Sequence, residues 1–210
     1  MTRRFDRERD FGELYRDFMR EYLSLGHMSP APRLPSSSRI CYLPHHGVLR
    51  GSGAETKIRV VFNGSSRTID GTSLNASLRI GPNLLPALAD IFIRWRRHCY
   101  VFIADVEKMY RQIQVHPDDR DLQRVLWEDN GKVSEFQLNT VTYGLASAPY
   151  LAIRVMRQLA TDEEERFPHG AVALSRNTYM DDVLTGANTL EAGRQLVKQV
   201  SSSARRAASR

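Results

Sequence analysis

In the stretch NTYMDDVLTG, Asp181 and Asp182 stand side by side, preceded by Tyr179 and Met180 and followed by the apolar pair Val183 and Leu184. An ionised carboxylate is costly to take out of water without compensation, so two of them against apolar flanks admit two readings. One is a plain hairpin turn, since Asp tolerates turn geometry and Gly186 closes the stretch. The other is a metal site, because carboxylates at a hairpin tip suit hard cations such as Mg²⁺. The second reading needs a further acid, and Asp105 supplies one at the end of the β-forming run CYVFIADV. Three carboxylates would then converge. Two divalent ions about 3.5–4 Å apart can activate an attacking oxygen and stabilise the leaving oxygen of a phosphoryl transfer. Spacing alone leaves Asp105 equally able to cap a helix or to pair with Lys108.

The elements that must position these acids are readable from periodicity. Phe11, Leu14, Tyr15, Phe18 and Tyr22 recur at spacings of three and four, which predicts an amphipathic helix in a segment spanning 1–28. Residues 29–39, SPAPRLPSSSR, are dense in Pro and Ser and read as a linker. In TKIRVVFNGSS, Lys57, Arg59 and Val61 alternate with Ile58, Val60 and Phe62, which predicts a strand ending in a turn. GPNLLPALADIFIRWRRH predicts a helix capped by Asn83, with Pro86 in its first turn and Arg94, Arg96 and Arg97 near its end. The arginines either finish that helix or touch a nucleic-acid backbone. CYVFIADV reads as a buried strand and KVSEFQLNTV as another. Ser147 then offers a cap to a helix carrying Leu151, Val155 and Leu159, with the acidic run 161–166 as its solvated end. A last helix is expected over 189–200, followed by a basic tail, 201–210.

The 210 residues are enough to bury a sizeable core, and 41% hydrophobic with 26% charged residues is ordinary for a globular chain. The formal charge of +6 suits a polyanionic partner. Two cysteines, Cys41 and Cys99, exclude a disulfide framework and a cysteine-rich zinc site. His45 and His46 are adjacent but have no partner at ligand spacing, and read as part of an edge strand. The charged N-terminal residues do not form a signal peptide, and no apolar run reaches bilayer length. A soluble, intracellular and cytoplasmic protein without membrane contact is expected.

YMDD at 179–182, together with FIADVEKMYRQIQVHPDD, KIRVVFNGSS and LNTVTYGLASAP in that order, resembles the reverse transcriptases. The wording is most similar to the BEL/Pao class of long-terminal-repeat retrotransposons, through YLPHH, GPNL, ADVEKMY and TVTYGLASAP. The likeness covers roughly residues 40–200. It implies an α+β fold, a polymerase palm with an antiparallel sheet backed by helices and a partial fingers subdomain. The implied reaction is RNA-directed DNA polymerisation, in which a primer 3′-hydroxyl attacks the α-phosphorus of a dNTP with two Mg²⁺ ions, or Mn²⁺, as cofactors. The implied partners are an RNA or DNA template-primer, dNTP, and the remaining polyprotein domains: thumb, ribonuclease H and integrase.

Roles follow by resemblance. Asp105, Asp181 and Asp182 become the catalytic acids and metal ligands, with the backbone carbonyl of Val106 beside them. Lys57 and Arg59 become triphosphate contacts, for which a guanidinium fork is well suited; solvated strand charges are the alternative. Tyr110 becomes a steric gate against a ribose 2′-hydroxyl, or else a core aromatic. Tyr143 would lie beneath the nucleotide, and Gly144 would let the backbone approach it. Tyr179 and Met180 would lie near the primer end, or serve packing. Asn63 departs from the family, many members of which have an aspartate there. The chain also stops before a thumb, so a truncated fingers and palm portion is expected. Two rivals remain: a degenerate nucleic-acid-binding fragment without activity, and an RNA-templated RNA polymerase, against which a bulky Tyr110 argues.

Overall fold

The computed structural model describes residues 2–33, 39–51, 56–129 and 131–207. In chain order its elements are helices α1 (Thr2–Arg7) and α2 (Arg9–Ser24), strands β1 (Met28–Pro30), β2 (His45–Arg50) and β3 (Lys57–Phe62), then α3 (Leu74–Ser77), α4 (Leu88–Trp95) and β4 (Tyr100–Asp105). Two short 3-10 helices, Met109–Gln112 and Pro117–Gln123, precede β5 (Arg124–Asp129) and β6 (Lys132–Leu138). The chain continues through α5 (Ala148–Asp162), α6 (Pro168–Arg176), β7 (Thr178–Tyr179), β8 (Asp182–Ala187) and α7 (Leu190–Ala207). The pairings between the named strands are antiparallel, as expected for an α+β chain, and one isolated parallel bridge joins Tyr42 to Arg124. The contacts divide into two compact units, Met1–Arg79 with Gln114–Ala148 and Ile80–Ile113 with Pro149–Arg210.

The first unit holds a three-stranded sheet, β1-β6-β5, and the hairpin β2-β3. The greasy stripe of α2 is buried against them: Phe11, Tyr15, Met19 and Tyr22 join Val60, Phe62, Val125, Trp127 and Leu138 in one cluster. Burying each such side chain contributes about 1.5–3 kcal/mol. The Tyr15 and Trp127 rings stack at 5.4 Å between centroids. His45 packs against this aromatic group; its Nε2–H donates to the Leu126 carbonyl at 2.9 Å, so Nδ1 is the acceptor of the Tyr15 hydroxyl. Ser29 and Pro30, the first residues of the Pro/Ser-rich stretch, are strand residues paired with Gln137 and Phe136. Residues 34–38 of that stretch lie outside the described residues. At the start of β5, Arg124, 3% exposed, bonds the fully buried Asp121 at 2.6 Å and Glu135 of β6 at 3.0 Å.

In the second unit the sheet order is β4-β8-β7, with helices α4, α6 and α7 against it. Three local expectations are corrected. Strand β4 is an edge strand rather than a buried one, with Tyr100, Val101 and Ile103 about half exposed. Helix α4 begins at Leu88; Asn83 instead accepts from the Leu85 N–H at 3.0 Å, and Pro86 precedes the helix, since extended backbone is favoured before and around proline. Residues 201–207, read as tail, continue α7, where Ser203 is buried and donates to the Gln199 carbonyl at 3.0 Å. Of the acidic run after α5, Glu163 is buried while Glu164 and Glu165 are exposed. Among the described residues no helix is long and apolar enough to cross a membrane.

Candidate active site

The two strands that carry the acids are bonded to each other along their whole length. Strand β4 pairs with β8 so that Asp105 stands opposite Asp182. One residue on, the Val106 N–H donates to the Asp181 carbonyl at 2.8 Å, so the three acids come from two adjacent strand ends. The hairpin β7-β8 turns through Met180 and Asp181, with Tyr179 paired to Asp182. A two-residue turn of this kind requires a positive φ, and Met180 supplies it at 58° without being glycine. Asp105 and Asp182 are exposed and Asp181 half-buried.

A polar network missed from the sequence holds the hairpin in place. Arg94 of α4 donates through Nε to Asn177 Oδ1 at 3.0 Å and through its terminal nitrogen to the Arg176 carbonyl at 2.6 Å. Asn177 in turn donates to Thr185 Oγ1 at 3.3 Å and accepts the Leu184 N–H at 2.9 Å, while Thr178 Oγ1 donates to the Leu174 carbonyl at 2.7 Å. Arg94 therefore finishes α6 and anchors the hairpin. Arginine, asparagine and threonine at ordinary surface spacings carry no sequence signal for this.

Although Asp105 is exposed, the partial loss of water around its carboxyl pushes it above its usual range, and the charges of Asp181, Asp182 and Glu107 push it the same way. Like charges so arranged favour a cation among them. The donors are hard oxygens, which fits Mg²⁺ or Mn²⁺ in type. Among the described residues no three acidic, histidine or cysteine side chains stand as a ready ligand group, so the fit lies in donor type and strand placement. The Val106 carbonyl accepts the Met109 N–H at 3.1 Å and keeps one lone pair. Tyr110, in the 3-10 helix that follows, is only 7% exposed, so little of its ring is open to a sugar.

A second group of residues singled out from the sequence comes together in the other unit. The Arg59 guanidinium lies over the Tyr143 ring, 4.3 Å from its centroid. Lys57 is exposed on the same strand. Gly144 has φ of +99°, and a Cβ there would stand 2.0 Å from the Phe62 carbonyl oxygen, so its close approach is to β3 of its own chain. Asn63 accepts the Ser65 N–H at 3.0 Å and so builds the turn after β3. Asn75, which nothing in the sequence had marked, accepts the Ala146 N–H and donates to the Gly144 carbonyl and to Ser65 Oγ, each at 2.8 Å.

The family profile described as reverse transcriptase (RNA-dependent DNA polymerase) matches residues 59–209, and this chain belongs to that family. Its fold is similar to that of the foamy viral protease-reverse transcriptase dRH in complex with double-stranded DNA, at a TM-score of 0.66 and 14% identity. It is similar likewise to the native prototype foamy virus protease-reverse transcriptase, at 0.65 and 15%. The likeness covers 89% and 90% of this chain but 28% and 21% of those chains. The mixed helix and antiparallel-sheet architecture is thus that of reverse transcriptase fingers and palm. No curated protein matches the chain.

Proposed function

We propose that this chain carries the nucleotidyl-transfer centre of an RNA-directed DNA polymerase from a BEL/Pao-class long-terminal-repeat retrotransposon. The observation that carries the reading is the register of Asp105 opposite Asp182, with Asp181 bonded through its carbonyl to Val106. In the reaction the primer 3′-oxygen bonds to the α-phosphorus of a dNTP and the bond to the bridging oxygen breaks, releasing pyrophosphate. Two Mg²⁺ ions, when bound, supply charge neutralisation for the attacking and leaving oxygens. Asp105 and Asp181 would hold them, with Asp182 and the Val106 carbonyl in support.

Arg59, with Lys57 on the same strand, takes triphosphate oxygens, a task suited to a guanidinium already oriented by the Tyr143 ring. Tyr110 limits space at the sugar, and Tyr179 and Met180 border the primer end. Template-primer is the nucleic-acid partner, by analogy with the double-stranded DNA bound to the foamy viral protein. A formal charge of +6 favours that association. The test is extension of a DNA primer on an RNA template with and without Mg²⁺, comparing wild type with Asp105→Asn and Asp181→Asn. Loss of extension in both variants with template binding retained is the expected result. Extension at near wild-type rate in either variant overturns the assignment.

One observation favours a second reading, nucleic-acid binding without turnover: the described acids do not stand as a ready three-ligand group. Template binding unaffected by Mg²⁺ and no extension by the wild type would select it.

A further inference from the structure

We infer that Asn75 is a positioning residue for the incoming nucleotide, acting through the loop that carries Tyr143. The inference rests on the reading above, in which Arg59 and Tyr143 contact dNTP.

Asn75 sits in the single helical turn α3, whose N-cap Ser73 accepts the Ala76 N–H at 3.2 Å. Its backbone N–H donates to the Gly64 carbonyl at 2.9 Å. The side chain then spans two segments far apart in sequence. Oδ1 accepts the Ala146 N–H, while Nδ2 donates to the Gly144 carbonyl and to Ser65 Oγ. The amide orientation is fixed by its partners, since an N–H faces the oxygen and a carbonyl faces the nitrogen. Only a primary amide of this length offers one acceptor and two donors in that arrangement; a carboxylate has no donor and an alcohol has only one.

These bonds hold residues 144–146 against the turn that ends β3. Residue 143 is the next one along that loop, and Arg59 lies on β3. The 4.3 Å stacking of Arg59 on Tyr143 therefore depends on the relative placement of two segments that Asn75 ties together. The packing leaves little slack, because a Cβ at Gly64 would meet Asn75 Oδ1 at 2.8 Å and the Gly144 carbonyl at 3.0 Å. Releasing the loop should spoil the shape presented to a triphosphate and leave the acids of the other unit untouched. The expected signature is a loss of dNTP affinity without a loss of the chemical step.

The experiment measures dATP affinity in Mg²⁺ by ligand-detected NMR, with thermal unfolding as the control for folding and with KM and kcat wherever extension is detectable. Asn75→Ala removes all three side-chain bonds, and Asn75→Asp keeps the Ala146 bond while losing both donors. Both are expected to weaken dATP binding about tenfold and to raise KM far more than they lower kcat. Arg59→Ala is the reference. If Arg59→Ala weakens binding and Asn75→Asp does not, the positioning role is overturned; if Arg59→Ala itself changes nothing, the underlying nucleotide reading fails instead. Should Asn75→Ala not fold, Asn75→Asp decides alone. A lowered unfolding temperature with unchanged dATP affinity in a folded variant means that Asn75 is structural only, and overturns the inference.

Discussion

Gly144 lies so close to Phe62 that a Cβ on it would stand 2.0 Å from the Phe62 carbonyl oxygen, and its φ is +99°. Both facts exclude any other residue there without backbone movement. The motif glycine thus serves the joint between the 143–146 loop and strand β3.

Gly144→Ala is expected to destabilise the chain by about 2–4 kcal/mol, because strain and overlap act together. Gly26 also has a positive φ, 73°, but a Cβ there meets nothing within 4 Å. Gly26→Ala should cost only about 1 kcal/mol. Urea unfolding of the two variants checks the contrast, and equal losses would refute the role of the Phe62 contact.

Asp105→Asn should raise the unfolding temperature at neutral pH. The Asp105 carboxyl titrates above its ordinary 3.8 in the folded chain, so the native state holds more protons than the unfolded state just above that pH. Stability therefore falls as pH rises through this window, and removing the charge relieves the cost. Mg²⁺ should raise the unfolding temperature of the wild type, by binding the native state, and should do little for the variant. A Mg²⁺ response of equal size in both proteins would rule Asp105 out as a ligand.

Burial holds His45 below its ordinary 6.5, and the charge of His46 adds to the effect. The unfolded chain then takes up the proton first, so the neutral ring's contribution is full above pH 6.5 and is lost as pH falls below it. Protonated Nδ1 would also face the Tyr15 hydroxyl as a second donor. Urea midpoints should drop between about pH 7.5 and about pH 5.5. His45→Phe should flatten that slope, and an unchanged slope would place the titration elsewhere.

Met180→Gly should stabilise the chain modestly. An L-residue held in the left-handed region costs about 1–2 kcal/mol, and glycine's extra entropy offsets about 0.5–1 kcal/mol of the gain. A net gain of up to about 1.5 kcal/mol in urea unfolding is expected from these two ranges. A destabilised variant would show that the Met180 side chain contributes packing that outweighs its backbone strain.

By itself the sequence determined the elements whose signal is local. The period-3.6 stripe of α2 and the period-2 alternation of β3 could be read directly because each side chain's face is set by backbone geometry. The acids at 105, 181 and 182 were legible for the same reason, as charges interrupting apolar strands. Only the tertiary structure decided which strand was an edge, since Val101 and Ile103 look buried by composition and are exposed by sheet order. It alone showed that α4 starts at Leu88 and that α7 runs to Ala207, because helix ends depend on what the last turns pack against. Asn75, Arg94 and Asn177 are ordinary polar residues whose importance lies in hydrogen bonds across tens of positions. No local pattern encodes such bonds; they exist only once the chain has brought distant carbonyls and amides within reach.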